Sequence, residues 1–558
     1  MDAQEDDSDI KLQRVSSDLI ADFSRSLPLF LRKPDGKTFR TRVRVSETAR
    51  LTSSLLDPFQ ELPQLLDPHL PTWLPLLAST YLAQLNARTR ARTRASAPST
   101  SAPSSTRSQL LEPLGLAIAK LIYTFTKIRG EKVIVRFLNV ESRHIEPLLS
   151  ALESAERAGA TPGSTAGSPN ESPPANSAQW SWEERYLVLL WLSHLLLAPF
   201  DLSSISSASA DPDLTLPEMP GFEWPENLPG ITVRILPLAI KYLASSGKER
   251  DGARALLVRV AMRRDMQFLG VLSALVRWSL ASLTPDRSAP PQPPYFYIGI
   301  LSFLAGVLRS SINTSDMDAY LSPIFLAAHS VASAEAAAAG GGNIVVAASI
   351  RSSAVARKML IKVIRSITVL LLRKTPPDPH STELIEASIG YLLECLADND
   401  TPVRLAASKA LSIVTLKLDP DMASQVVDAV LDSLNRNVLW TRDPGTKTST
   451  RDLAAVDPLE WQGLMLTLSH LLYRRSPPAS QLPDIVHGLL LGLSFEKRST
   501  SGGSVGTNVR DAACFGIWAL ARRYTTAELL QVPTAAVVAA RVHDADVSIL
   551  QVLATELV

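Results

Sequence analysis

Residues whose types and spacing could do chemistry are few and scattered in this 558-residue chain. Gly36-Lys37-Thr38 ends like a phosphate-binding loop. That motif needs a glycine five residues before Gly36, where Leu31 stands, and a strand ahead of it. Gly502-Gly503-Ser504-Val505-Gly506 lacks the Lys-Ser/Thr ending, and its glycines read as a flexible connector. The eight histidines form no His-Glu-x-x-His pair and no Cys/His cluster of zinc-binding spacing. His194, inside an apolar run, reads as a core or interface histidine. Cys395 and Cys514 are too few for a disulfide framework or a four-cysteine zinc site, and both are expected to be buried thiols. No paired carboxylates or nucleophile–base set stands out. Catalytic, cofactor-binding and metal-ligating residues are therefore assigned to none, and the chain reads as a binding protein, not an enzyme.

The informative motif is one of structure. In Asp398-Asn399-Asp400-Thr401-Pro402-Val403-Arg404 a tight loop feeds a helix, with Asp400 or Thr401 placed to cap it. Val403, Ala406, Ala407, Ala410, Leu411 and Val414 then fall on one helical face. Alanines in its middle let a neighbouring helix come close. A loop aspartate followed by an arginine in the first turn is the signature of a HEAT repeat, a helix pair that buries its face by stacking on another pair. The pattern returns at Asn508-Val509-Arg510-Asp511-Ala512-Ala513-Cys514. Candidate repeat-signature or interface residues are Asp398, Asp400, Arg404, Asn508, Arg510 and Asp511. Arg404, Arg510 and Asp511 are expected to bond to repeat loops such as 398–400; the alternative is that Arg510 and Asp511 touch a client.

These residues need an array of helices to hold them. The length exceeds one compact core, and 46% hydrophobic residues exclude global disorder. With 56 basic and 55 acidic residues, the net charge of +1 gives no overall field for nucleic acid or an anionic membrane. Tyr186–Phe200 is the most apolar run, shorter than the ~20 residues of a membrane span, and reads as a helix buried on most sides. The acidic start MDAQEDDSDI has no signal-peptide core, and a soluble, cytoplasmic protein is expected. No period-2 run is bounded by hairpin turns. The fold class is all-α, a HEAT/armadillo-type helical-repeat solenoid with polar low-complexity insertions. Residues 1–50 are read as a charged, partly ordered N-terminus. A first repeat region spans 51–374, with inserts at 87–108, 154–179, 203–229 and 285–294. A Pro-rich break covers 375–382, and a second repeat region covers 383–558. Arg88, Arg90, Arg92 and Arg94 read as part of a solvated insert rather than a nucleic-acid contact.

Several blocks together resemble the tubulin-folding cofactor D family, also called tubulin-specific chaperone D. They are Leu65-Leu66-Asp67-Pro68-His69-Leu70, Thr126-Lys127-Ile128-Arg129-Gly130, Trp182-Glu183-Glu184-Arg185-Tyr186 through Pro199-Phe200-Asp201, and Ser504 to Cys514. Their order along the chain matches the N-terminal part of that longer family. The resemblance implies a chaperone that takes β-tubulin after the chaperonin and supports α/β-tubulin heterodimer assembly. Implied partners are β-tubulin, an Arf-like small GTPase and tubulin cofactors E and C. Stimulated GTP hydrolysis by tubulin and microtubule association are implied with them. The alternative is a HEAT-repeat scaffold for another protein client. Ser548–Val558 lacks the Arg-rich, Ala-rich helix expected after His543-Asp544-Ala545-Asp546, so a fragment or altered gene model is expected.

Overall fold

A computed structural model describes residues 2–94, 110–159, 180–205, 216–285, 292–332, 343–373, 377–442, 449–498 and 502–531. The parts of the expected inserts at 95–108, 160–179, 206–215 and 286–291, and the segment 543–558, lie outside the described residues. The chain divides into two compact units, Met1–Trp278 and Ser279–Val558.

In the first unit, helices α1 (Asp2–Leu31), α2 (Val45–Ala49), α3 (Leu70–Arg94), α4 (Leu114–Arg129) and α5 (Glu131–Ile134) come first. They are followed by α6 (Ile145–Gly159), α7 (Trp182–Leu195), α8 (Leu202–Ile205), α9 (Gly230–Leu243), α10 (Glu249–Ala261) and α11 (Arg264–Phe268). α12 (Val271–Leu283) runs across the division at Trp278. Two layers result: α4, α7 and α10 pack side by side, and α3, α6 and α9 cover them. The apolar run at 186–195 becomes α7, with Tyr186 through Leu192 buried on all sides. That helix needs no polar face because α4, α6 and α10 enclose it.

Three expectations are corrected here. Residues 2–31 form one long helix, because Phe23, Leu27, Phe30 and Leu31 make a buried stripe at helical spacing. α3 continues to Arg94, so the arginines at 88–94 belong to a helix rather than an insert. The sequence pattern also predicts a continuous helix over 55–85, but a π-helical turn and two 3-10 turns carry residues 50–66 before α3 begins. Short strands also occur. β1 (Arg42–Arg44) pairs antiparallel with β2 (Leu111–Pro113), Val43 opposite Glu112.

The second unit contains α13 (Pro294–Ser310), α14 (Leu321–Ala332), α15 (Asn343–Arg351), α16 (Ala354–Leu371) and α17 (Pro379–Glu394). It goes on with α18 (Thr401–Thr415), α19 (Pro420–Ser433), α20 (Pro458–Arg474), α21 (Leu482–Leu493), α22 (Thr507–Arg523) and α23 (Thr526–Gln531). α13, α16, α18, α20 and α22 form a row in which each packs on the next. α17, α19 and α21 lie in a second layer, each against two helices of the row. Two successive layers built from helix pairs are the HEAT/armadillo architecture expected from the sequence. Between α19 and α20, where the polar composition of 439–455 predicts a loop, β3 (Leu439–Arg442) pairs antiparallel with β4 (Ser449–Asp452).

Candidate protein-binding surface

α18 is built as its spacing predicts. Val403, Ala407, Ala410, Leu411 and Val414 are buried between α16 and α20, with Ala406 half-buried. Arg404 is the exception on this face, a guanidinium 1% exposed. Its Nη1 donates to the Asp398 carbonyl at 2.5 Å and its Nη2 to Thr401 Oγ1 at 2.9 Å. Nε and Nη2 both donate to Gln462 Oε1 on α20, at 3.0 and 2.5 Å. Burial holds its pKa below the usual arginine range, opposed by the charges of Asp398, Asp457 and Asp400.

The carboxylates of the loop serve another residue. Arg357 on α16 donates from Nε to Asp398 Oδ2 at 2.8 Å and from Nη2 to Asp400 Oδ2 at 2.6 Å. Asp400 stands at the N-cap of α18 but makes no side-chain cap bond, which corrects the capping expected of it. Arg357 was not singled out by sequence; it lies 41 residues from Asp398, and no spacing rule links them. At the second signature, Arg510 Nη1 donates to the Phe495 carbonyl at 2.7 Å and to Glu496 Oε2 at 2.5 Å. Its bonds run to its own repeat loop, not to 398–400. Asn508 and Asp511 are exposed on α22. The signature positions are thus two separate loop locks and not one cluster.

The sequence blocks of the first unit are locks as well. Asp67 accepts from Arg129 Nε and Nη2 at 2.5 and 2.6 Å, joining two of them. These bonds hold the Asp67 carboxyl below its usual range. Gly130 follows with φ +89°, a backbone that residues with a Cβ rarely adopt. Glu184 pairs with Arg88 at 2.9 Å. Arg263 donates to the carbonyls of Leu196, Ala198 and Phe200, and so ties down the chain that leaves α7.

Neither cysteine makes a reactive site. Burial pushes the Cys395 thiol up to about 12. Cys514 is exposed on α22, contrary to expectation, and its thiol is also raised. Among the described residues no group of His, Cys, Asp and Glu could hold a metal, and no helix is long and apolar enough to cross a membrane.

One buried histidine is expected to govern acid stability. His470 on α20 is 9% exposed, and neither Nδ1 nor Nε2 has a partner in the structure. Burial, then the charges of Arg474 and Lys409, lower its pKa to about 4. Unfolded, the ring takes a proton below about 6.5; folded, it resists until about 4. Stability is therefore complete above about pH 6.5 and declines towards pH 4, by an amount on the order of 3 kcal/mol. His470→Leu should flatten the pH dependence of melting over that window; an unchanged slope would contradict the assignment.

Comparison with known proteins gives the following. The family model described as tubulin-specific chaperone D-like, ARM repeat, matches residues 56–283, and a second, tubulin-specific chaperone D-like, ARM repeats, matches 374–552. A tubulin-folding cofactor D of Schizosaccharomyces pombe is 24% identical over 432 residues, 73% of this chain and 33% of that protein. A tubulin-specific chaperone D of Dictyostelium discoideum is 23% identical over 395 residues, 62% of this chain and 25% of that protein. The match thus spans a third or less of these relatives' own length. Among solved structures, one of a Pds5–Scc1 complex is similar over 82% of this chain and 62% of that one, at 12% identity and a TM-score of 0.22. One of importin beta is similar over 87% and 58%, at 11% identity and 0.27.

Proposed function

Because the chain belongs to the tubulin-specific chaperone D-like family of ARM-repeat proteins, we propose that it is a non-catalytic chaperone that binds β-tubulin and supports assembly of the α/β heterodimer. In this reading it works with an Arf-like small GTPase and tubulin cofactors E and C in the cytoplasm, associated with microtubules. Within that complex it stimulates GTP hydrolysis by tubulin. The observation that carries the reading is the pair of family matches, which run in order along most of the chain. Stacked helices that hold their shape through loop locks, with no reactive cluster among the described residues, suit a folded client. In the alternative reading of the second signature, Arg510 and Asp511 contact that client.

Expression of the chain in cell lysate, followed by affinity capture and mass spectrometry, tests this. β-Tubulin or an Arf-like GTPase should co-purify; a folded sample free of both would overturn the proposal. Arg510→Ala separates the two roles offered for the second signature. Loss of its half-exposed, charge-assisted bonds should cost about 1–2 kcal/mol in melting and leave tubulin capture intact below the transition. Unchanged melting with lost capture would instead place Arg510 in the client contact.

A further inference from the structure

The near-zero net charge of the chain conceals a separation of charge between the two layers of the second unit. α16 carries Arg357, Lys358, Lys362 and Arg365 and no carboxylate. α18 carries Arg404 and Lys409 and no carboxylate, and α13 carries Arg309 alone. α20 and α22 add Arg474, Arg510, Arg522 and Arg523 against the single acids Glu460 and Asp511. The second layer is the reverse. α17 holds Glu383, Glu386 and Glu394, α19 holds Asp421, Asp428 and Asp432, and α21 holds Asp484, with no lysine or arginine in any of them.

Part of the basic set is consumed by the structure. Arg357, Arg404 and Arg510, near the starts of their helices, are locked to loops as described. Arg309, Arg365, Lys409 and Arg474 are not: among the described residues none makes an ion pair. They lie together. Burial depresses the Arg365 pKa, and the nearby charges of Arg309 and Arg474 lower it further. Arg474 Nε donates to Ser412 Oγ on α18 at 3.0 Å. Arg474 and Lys409 both act on the ring of His470, whose nitrogens make no hydrogen bond. The band ends in aromatics: Tyr473, 38% exposed, stacks on Trp518, 52% exposed, with ring centroids 6.0 Å apart. Phe515 joins both rings, and Arg523 lies over the Tyr473 ring at 5.2 Å.

Helix dipoles favour cations in a last turn, which accounts for Arg309 and Arg474. They do not account for Lys409, in the middle of α18, or Arg365, nearly two turns before the end of α16. Four helices that place unpaired cations side by side repel one another, and the repulsion is relieved when a polyanion lies across them. We propose that the band from Arg309 on α13 through Arg365, Lys409 and Arg474 to the Tyr473–Trp518 pair docks an acidic, carboxylate-rich segment of a protein partner. Guanidinium groups receive carboxylates in two-point fashion. The aromatic rings are stacked on one another rather than spaced as platforms, which favours a peptide over the bases of a single-stranded nucleic acid. Any protein with such a segment fits, so the inference does not depend on tubulin being the client.

Fluorescence anisotropy of the full chain with a short labelled Glu-rich peptide, in the absence of tubulin, tests it. The peptide should bind, its Gln counterpart should not, and affinity should fall as salt rises. Lys409→Glu, at an exposed position, should weaken binding about tenfold or more with unchanged melting, and the double variant Arg365→Gln/Arg474→Gln, assayed below its own melting transition, should weaken it as much. Lys33→Glu, an exposed cation of the first unit, should not. Bound peptide should also raise the His470 midpoint, read by NMR of labelled histidine, above its free value of about 4. Absence of binding, equal binding of the Gln peptide, or binding indifferent to the band variants would overturn the proposal. So would tighter binding of a single-stranded oligonucleotide, or of phosphate alone, lost in the same variants. Tubulin capture is scored separately, so either reading can fail without the other.

Discussion

Arg404→Ala is expected to destabilise the second unit by about 3–5 kcal/mol, the range found when one partner of a buried charged network is removed. The substitution leaves Gln462 Oε1 without its two donors and the Asp398 carbonyl without one, all inside the protein. It also opens a cavity the size of an arginine stem between α18 and α20, which adds to the loss. Arg404→Lys should recover only part of it, because an ammonium is a point charge and cannot reproduce the fork that holds Gln462 and Asp398 together. Chemical denaturation followed by circular dichroism reads both. A melting curve for Arg404→Ala within about 1 kcal/mol of the parent would mean that water replaces the arginine, and that the loop does not depend on it.

Gly463→Ala should be comparably severe. A Cβ at this position of α20 would sit 2.0 Å from the Leu396 carbonyl oxygen and 2.8 Å from its carbon. Those atoms are backbone, in the 3-10 turn that follows α17, and cannot rotate away. The chain must either part α20 from the turn or break the turn itself, and both disturb the Asp398 loop that Arg404 and Arg357 hold. Overpacking of a rigid contact costs about 3 kcal/mol, and a backbone overlap of this depth belongs at the upper end. Alanine favours helix over glycine by about 1 kcal/mol, so a stabilised variant would show that the helices separate freely and that the close approach is not required.

What the sequence disclosed follows from range. The face of α18 was legible because Val403, Ala407, Ala410, Leu411 and Val414 repeat within one helix. The partner of Arg404 was not, because Gln462 is 58 residues away and nothing local marks it. The same holds for β1 and β2: three-residue strands carry too little alternation to be seen, and their pairing spans 67 residues between Arg44 and Leu111. At the N-terminus the charges before Arg14 masked a helical stripe that begins only at Phe23. Cys514 was read as buried from its apolar neighbours, yet Asp511, Cys514 and Trp518 point outward together while Ala512, Ala513 and Ile517 face in. The opposed charge of the two layers was written in the sequence throughout; it becomes visible once each helix is assigned to its layer.

α7 raises a problem that belongs to synthesis rather than to the finished molecule. A segment apolar on every side leaves the ribosome some fifty residues before its cover, α10, has been made. During that interval the face that α10 will cover is an adhesive surface with no internal partner, and nascent chains in that condition aggregate or recruit holding factors. A protein proposed to shelter another's folding would then itself need shelter, and ribosome-stalled chains ending near Gly230 should bind such factors far more than chains ending after Ala261.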